Sequence, residues 1–287
     1  MNILICGASG FIGRHLRASL QEAGHDVRGA VRHPRLNQDI AVDYSNDYNT
    51  EIWIPRLKNI DVVINAVGVL RNGPNSLMQR LHCDTPLALF KACSEAKVKR
   101  IIHISALGVE SGIKAAYFSS RVAAENSLKE ISSPIRWLCI RPSVIFGEDG
   151  TSARMFRHMA KLPLHLLPMG GNQILQPVHI DDICTAINRW LDDSDAQSKT
   201  VNAVGAKPTT MRGMLDSYRT QLGYRSAWHI PIPESLVQFA AKIGDQIPSS
   251  PLCSETLTMM EAGNAADASG FAQLLKCDPM SYHEFIR

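Results

Sequence analysis

Three glycines near the start of the chain have a spacing that suits a ligand carrying phosphate groups. Gly7, Gly10 and Gly13 follow the apolar run 2–6 in a G-x-x-G-x-x-G arrangement, and a helical pattern begins beside them. Such glycines permit a tight turn, close approach of the backbone to a pyrophosphate and close packing of helix on strand. The helix N-terminus adds free N–H groups that attract an anion. The alternative is a tight turn that binds no ligand. The residues predicted to bind a nicotinamide dinucleotide here are Gly7, Ser9, Gly10, Phe11, Ile12 and Gly13.

The residue after the second predicted strand distinguishes the two nicotinamide cofactors. NAD sites usually have an acidic residue about 20 positions after the loop, where it bonds the ribose hydroxyls. Arg32 stands there instead, and its planar guanidinium suits a 2′-phosphate. We therefore expect NADP(H) to be preferred over NAD(H). Asp43 is predicted to bond the adenine amino group or, alternatively, to hold a turn. Ala66, Val67 and Gly68 end the fourth predicted strand, and small side chains there would let the adenosine half lie against the backbone.

A serine, a tyrosine and an arginine follow the fifth predicted strand. Ser105 ends that strand, Tyr117 comes twelve residues later, and Arg121 lies one helical turn beyond. The pattern resembles the short-chain dehydrogenases/reductases, which have a Ser followed by Tyr-x-x-x-Lys. The resemblance implies that Tyr117 is the general acid/base, that Ser105 polarises the substrate oxygen, and that Arg121 replaces the Lys at the nicotinamide ribose.

The arginine leaves two functions open, because an Arg head is larger, planar and fixed in charge. One is an NADPH-dependent reductase of a carbonyl or enone, with Tyr117 as the acid. The other is a non-catalytic NADPH-binding assembly factor, sensor or subunit, in which Tyr117 and Arg121 are a retained cofactor-binding pair. Ser105 would then make only a strand-end hydrogen bond.

Further motifs narrow the resemblance to the atypical branch of this superfamily. Segments 82–86, 140–147, 176–183 and 274–281 are similar to the accessory NAD(P)H-binding subunit of respiratory complex I and its bacterial homologues. The resemblance covers nearly the whole chain and implies a bound NADPH and, in some members, a role in a quinone- or membrane-related complex. Pro142 and Val144 are expected at the nicotinamide end. Nucleotide-sugar epimerases usually prefer NAD(H) and keep the Lys, so Arg32 and Arg121 argue against that activity.

Alternating strand and helix patterns position these residues. We predict an α/β fold, a doubly wound parallel Rossmann sheet with a small, loop-rich C-terminal cap. Residues 1–147 form the predicted NAD(P)-binding domain, and 148–287 the rest of the sheet plus the substrate or cap region. Residues 176–204 are expected to return to the main sheet, beginning at about 176–183. The Pro-rich stretch 229–251 is expected to be loop. The predicted strands are 2–6, 26–31, 40–43, 61–67, 100–105 and 136–140, and the main helices are 13–23, 77–96 and 116–130.

Composition limits the classes of partner. The 287 residues include 30 basic and 27 acidic ones, so the charge is nearly balanced and nucleic acid is not expected as a ligand. The seven cysteines form no C-x-x-C pair and no Cys/His cluster with ligand spacing, which predicts reduced thiols and no metal site. Neither a signal peptide nor an apolar run of about 18 residues is apparent, so we expect a cytoplasmic protein. The expected partners are a small-molecule substrate of unknown identity and a membrane complex or a second copy of the chain.

Overall fold

The computed structural model describes residues 1–70, 77–113, 116–131, 134–247, 250, 252–261 and 263–286. Its strands are β1 (Asn2–Cys6), β2 (Asp26–Val31), β3 (Ile40–Ala41), β4 (Val62–Asn65), β5 (Arg100–Ile104), β6 (Arg136–Pro142), β7 (Ile145–Phe146), β8 (Leu164–Pro168), β9 (Ile174–Leu175), β10 (Val178–His179), β11 (Lys199–Ala203), β12 (Thr209–Thr210) and β13 (Trp228–Ile232).

The α-helices are α1 (Phe11–Glu22), α2 (Thr50–Trp53), α3 (Leu77–Gln79), α4 (Thr85–Glu95), α5 (Ala116–Lys129), α6 (Thr151–Lys161), α7 (Ile180–Asp192), α8 (Met211–Gln221), α9 (Glu234–Gly244), α10 (Ser254–Glu261) and α11 (Ser269–Leu275). A π-helical turn, Arg80–Asp84, joins α3 to α4. Short 3₁₀ turns lie at Ile54–Leu57, Met169–Gly171 and Tyr282–Glu284.

Seven strands form the main sheet in the order β11-β6-β5-β4-β1-β2-β3. The pairings from β3 across to β6 are all parallel. The middle strands are apolar on both faces, and Ile3, Leu4 and Ile5 of β1 are fully buried. Strands buried on both faces require helices on both sides of the sheet. The doubly wound Rossmann fold expected from the sequence is therefore confirmed.

The helix predicted over 77–96 is not continuous, because the π-helical turn interrupts it. Pro86 lies in the first turn of α4 and has no N–H to donate to the carbonyl of His82. The regular helical hydrogen-bond ladder therefore cannot run through this point, and a π turn occurs where it breaks. The turn buries His82, whose side chain is 2 % exposed.

The chain divides into two compact units. The first contains Met1–Arg141 and Cys184–Val201, and the second contains Pro142–Ile183 and Asn202–Arg287. The strand that returns to the main sheet is β11, whereas β10, within the segment expected to begin that return, pairs with β7 in a separate two-stranded sheet. Pro177, just before β10, lacks the N–H that a place inside a sheet requires. The domain bounds expected from the sequence stay a prediction.

The second unit is richer in helix than the expected loop-rich cap. The stretch predicted as loop contains β13 and α9, which together cover most of residues 228–244. Its prolines occupy positions that tolerate a missing N–H: Pro231 lies in a strand with one partner, and Pro233 caps α9. A core formed by α6, α8, β8 and the C-terminal tail includes Leu167, Tyr218 and Phe285.

Two further expectations from the sequence concern the redox state of the cysteines and the presence of membrane-spanning helices. All seven cysteines are free, and Cys277 is the exposed one. Among the described residues, no helix combines the length and the apolar character needed to span a bilayer.

Candidate functional site

The glycine loop connects β1 to α1 with little space for side chains. Gly7 has a φ of +81°, a left-handed conformation that favours glycine, and its N–H donates to the carbonyl of Ala30 at 3.1 Å. A Cβ on Gly13 would lie 2.1 Å from the Gly7 carbonyl oxygen and 2.8 Å from the Ala8 Cα. Only glycine therefore lets α1 pack this closely against the loop.

The start of α1 suits an anionic ligand. Gly10 caps the helix without a side-chain hydrogen bond, and the first turn contains no acidic residue. Ser9 and Gly10 are exposed, while Phe11 and Ile12 are half-buried. The free N–H groups and the positive end of the helix dipole favour a pyrophosphate at this position. These residues fit the dinucleotide that the spacing predicts.

Arg32 and Asp43 lie near each other beyond the second and third strands. Arg32 is exposed. Asp43 accepts hydrogen bonds from the Ser45 hydroxyl at 2.6 Å and from the Asn46 amide at 2.6 Å. The Ser45 hydrogen bond chiefly, with a smaller effect of Arg32, holds the pKa of Asp43 below its ordinary value. Asp43 thus has the contacts of a turn aspartate, and its carboxylate lies close enough to Arg32 for the two charges to attract.

A partly buried ion pair beside the glycine loop was not expected from the sequence. Asp39 accepts from Arg17 of α1 at 2.6 Å and from the Gly29 N–H of β2 at 3.0 Å. Burial opposes the charge on Asp39, but these hydrogen bonds outweigh it and lower the pKa. The pair fixes α1 against β2, and nothing in the local sequence around Asp39 indicates it.

The end of β4 meets helix α5. Ala66 donates its N–H to Cys6 at 3.0 Å, and Val67 donates to the Asn65 side chain at 3.2 Å. A Cβ on Gly68 would lie 3.0 Å from Nη2 of Arg121. The structure therefore brings the predicted adenosine-side residues close to the predicted catalytic cation.

Arg121 lies over the ring of Tyr117. Its guanidinium carbon is 3.9 Å from the centre of that ring, and Nη1 donates to the Tyr117 carbonyl at 3.0 Å. Tyr117 also packs edge-on against His82, with ring centres 6.0 Å apart. Both Tyr117 and Arg121 are at least nine-tenths buried. A cation over the face of an aromatic ring is attracted by the ring's quadrupole.

His82 has more donors around it than a neutral ring can accept. The Val69 N–H donates to Nε2 at 2.9 Å, while Nδ1 lies 2.8 Å from Nη1 of Arg121 and 3.0 Å from the Ser120 hydroxyl. A neutral imidazole has one acceptor nitrogen and one N–H. Burial and the charge of Arg121 lower the pKa of His82 to about 2, so the ring is neutral. One of the Val69 and Arg121 contacts consequently joins two donors.

Ser105 belongs to a buried network that joins β5, α5 and β6. Its hydroxyl donates to Oε1 of Glu125 at 2.5 Å. Arg141 donates from Nε to both oxygens of Glu125, at 3.0 and 3.1 Å, and from Nη2 to Oε2. Burial raises the pKa of Glu125, but hydrogen bonds from Arg141 and Ser105 outweigh it, so the net shift is downward and the carboxyl is ionised. A carboxylate only accepts hydrogen bonds, so Ser105 must be the donor.

Glu125 was missed by the sequence analysis, although two signals pointed to it. Tyr117, Arg121 and Glu125 are spaced four residues apart and therefore share one face of α5. Arg141 lies in the apolar strand β6, where a buried cation needs an anion. Looking for that partner would have led to Glu125.

The remaining predicted site residues, Pro142 and Val144, belong to the second unit. Pro142 is buried at the end of β6, and Val144 is half-buried and donates its N–H to Asn264 at 2.7 Å. The first unit thus brings together Gly68, Tyr117 and Arg121, and it connects Ser105 to the same helix through Glu125.

The NAD dependent epimerase/dehydratase family matches residues 3–205, which include the glycine loop, Tyr117 and Arg121. The chain belongs to this family. Its fold is similar to that of a UDP-glucuronic acid 4-epimerase from Bacillus cereus in complex with NAD, with a TM-score of 0.74, 20% identity and 100% and 96% of the two chains covered. A nucleoside-diphosphate-sugar epimerase from Staphylococcus aureus has a TM-score of 0.77 at 17% identity, with 100% and 99% covered.

Two curated relatives are mitochondrial. The NADH-ubiquinone oxidoreductase 40 kDa subunit of Neurospora crassa is 21% identical over 82% of this chain and 63% of its own length. The NADH dehydrogenase (ubiquinone) 1 alpha subcomplex subunit 9 of Mus musculus is 24% identical over 86% of this chain and 68% of its own length. The chain therefore spans about two thirds of each. A ceramide reductase of Caulobacter vibrioides is 26% identical over 63% of this chain and 57% of its own. The similarity to complex I subunits expected from the motifs is confirmed.

Proposed function

We propose that the first unit binds NADP(H) and that the protein acts as a nucleotide-loaded component of a larger assembly, without turnover by Tyr117. A bound nicotinamide dinucleotide supplies hydride transfer. The chain's own residues here hold and orient the nucleotide. The glycine loop accommodates the pyrophosphate, and exposed Arg32 meets the 2′-phosphate.

The hydroxyl of Ser105 carries the argument against turnover. A serine that polarises a substrate carbonyl must donate its proton to that oxygen, and a hydroxyl has only one proton. Ser105 donates that proton to ionised Glu125 at 2.5 Å, and Arg141 holds Glu125 in place. Releasing the proton would break a buried charge-assisted hydrogen bond, which is about twice as strong as a neutral one.

An exposed apolar surface in the second unit supports a protein partner. Leu164, Leu166, Trp228 and Ile230 share one face of the β8–β13 pair, and the Trp228 side chain is 80% exposed. Contiguous exposed apolar residues on a protein surface often mark an interaction site. The complex I relatives suggest a respiratory-complex partner. That partner, a homodimer and a cytoplasmic location are proposals.

A reductase with Tyr117 as general acid is the second candidate. The specific observation in its favour is that the cation of Arg121 lies 3.9 Å from the Tyr117 ring centre, close to where the family's Lys would act. The ceramide reductase among the relatives is consistent with reduction of a carbonyl.

Consumption of NADPH distinguishes the two candidates. We would follow NADPH absorbance with a panel of ketones, aldehydes and enones, using wild-type protein, Tyr117→Phe and the control Tyr224→Phe, whose ring is exposed in the second unit. The proposal predicts NADPH binding by all three proteins and consumption no faster than in buffer. Robust consumption that Tyr117→Phe abolishes and Tyr224→Phe preserves would establish the reductase instead.

A further inference from the structure

Two histidines and an aspartate converge in the second unit. His165 of β8 and His229 of β13 are register partners in a parallel pair, so their side chains point to the same face. Helix α8 supplies Asp216 on that face. One ligand atom from each of the three residues lies within 4.8 Å of the others.

His165 has a buried ring with unmet hydrogen-bonding capacity. Its side chain is about 1% exposed, and neither ring nitrogen has a hydrogen-bond partner among the described residues. The Ala160 carbonyl influences its pKa but completes no hydrogen bond of normal geometry. Leaving a buried polar group unpaired is costly. Nδ1 lies 3.9 Å from Oδ1 of Asp216, so the ring adjoins the carboxylate.

The half-exposed carboxylate of Asp216 gives a cation access to the cluster, although two arginines lie near it. The Asp216 side chain is 41% exposed, Oδ1 lies 2.8 Å from Nε2 of His229, and Oδ2 lies 3.8 Å from exposed Arg212. Arg219 is also near and opposes a second positive charge. Its guanidinium donates to the carbonyls of Ala160 and Leu162, at 2.9 and 2.8 Å, which partly offset its charge.

We propose that His165, Asp216 and His229 bind one Zn²⁺ ion and leave a fourth position for water. Two imidazoles with one carboxylate suit Zn²⁺, whereas Mg²⁺ and Ca²⁺ prefer all-oxygen ligands. In a tetrahedral zinc site with bonds of about 2.0–2.1 Å, ligand atoms lie about 3.3 Å apart. The Asp216–His229 distance of 2.8 Å must widen slightly and the His165–Asp216 distance of 3.9 Å must close slightly. The ligand atoms of the two histidines, which lie within 4.8 Å of each other, must also approach, and the ion then ties α8 to the β8–β13 pair.

The sequence prediction of no metal site rested on spacing along the chain. His165, Asp216 and His229 lie far apart in sequence, and only strand register and the position of α8 bring them together. Spacing therefore gave no indication of this cluster.

Metal binding to the full-length protein tests the proposal. After EDTA treatment and dialysis, we would measure Zn²⁺ content by mass spectrometry and Zn²⁺ affinity by calorimetry. The variants are Asp216→Asn, which keeps the side-chain shape at a half-exposed position, and His229→Gln. The control is His33→Gln, an exposed histidine of the first unit. Circular dichroism establishes that each variant is folded.

The expected result is one Zn²⁺ per wild-type chain. Since losing even a supporting partner of a metal ligand costs 10–100-fold in affinity, Asp216→Asn and His229→Gln should each weaken binding by roughly 100-fold. His33→Gln should bind like wild type. Co²⁺ substitution should give a spectrum without thiolate charge transfer, which separates this site from exposed Cys277. Equal Zn²⁺ affinity in folded Asp216→Asn and wild type would overturn the proposal, as would wild-type protein that binds no Zn²⁺ at micromolar concentration.

Discussion

The neutral, buried ring of His82 makes the free energy of unfolding depend on pH by an amount that can be calculated. In the folded protein its pKa is about 2, because burial and the charge of Arg121 disfavour the imidazolium. In the unfolded chain a histidine titrates near pH 6.5. Below that pH the unfolded state binds the proton and the folded state does not, so stability falls as the pH falls.

The size of the effect follows from the two pKa values. Between pH 8 and pH 5, His82 alone lowers the free energy of unfolding by about 2 kcal/mol. His103, whose buried ring has a pKa of about 4, contributes a further loss of about 2 kcal/mol over the same range. His82→Asn removes the first contribution and leaves the second.

Urea unfolding, followed by tryptophan fluorescence at pH 8 and at pH 5, measures this loss in the free energy of unfolding. Wild type should lose about 2 kcal/mol more than His82→Asn between the two pH values, whatever the variant's stability at pH 8. His33→Asn, at an exposed position, should lose as much as wild type. If His82→Asn and wild type lose the same amount, His82 is not held neutral, and the reasoning about its environment is wrong.

Two substitutions test the glycine loop and the buried network. Gly13→Ala places a Cβ 2.1 Å from the Gly7 oxygen and should lower both the melting temperature and NADPH affinity. In Gly270→Ala of α11 the added Cβ meets no neighbouring atom of the described residues within 4 Å, so this change should stabilise by about 0.5–1 kcal/mol. Calorimetric melting that ranks the two the other way contradicts this packing. Glu125→Gln removes the buried anion of Arg141 and leaves it only exposed Glu110, at 2.6 Å, so it should cost about 3 kcal/mol in urea unfolding. Lys99→Ala breaks an exposed pair and should cost less than about 1 kcal/mol; equal costs would argue against a buried network.

The main sheet and the glycine loop were predictable because their signals are local. Apolar runs identify β1, β4 and β5, and the spacing of Gly7, Gly10 and Gly13 identifies the turn that the packing demands. The family resemblance likewise rested on short motifs, and the match over residues 3–205 agrees with it.

The features that could not be predicted from the sequence depend on contacts between segments that are distant along the chain. Pairing of Ser105 with Glu125 requires α5 to pack beside β5, and buried His82 lies in a π-helical turn that is followed by Pro86 in the first turn of α4. In the second unit the prolines suggested loop, yet Pro231 and Pro233 occupy an edge strand and a helix cap. Periodicity along the chain contains none of this information.

The central claim is a dinucleotide site that prefers NADP(H) through Arg32, and calorimetric titration with NADPH and NADH tests it most directly. Wild type should bind NADPH at least tenfold more tightly, a difference of about 1.4 kcal/mol. Arg32→Glu should reverse the preference, because a carboxylate repels the 2′-phosphate and bonds the ribose hydroxyls. Arg35→Glu, an exposed arginine three residues further on, should bind like wild type. Equal or tighter binding of NADH by wild type would contradict the account.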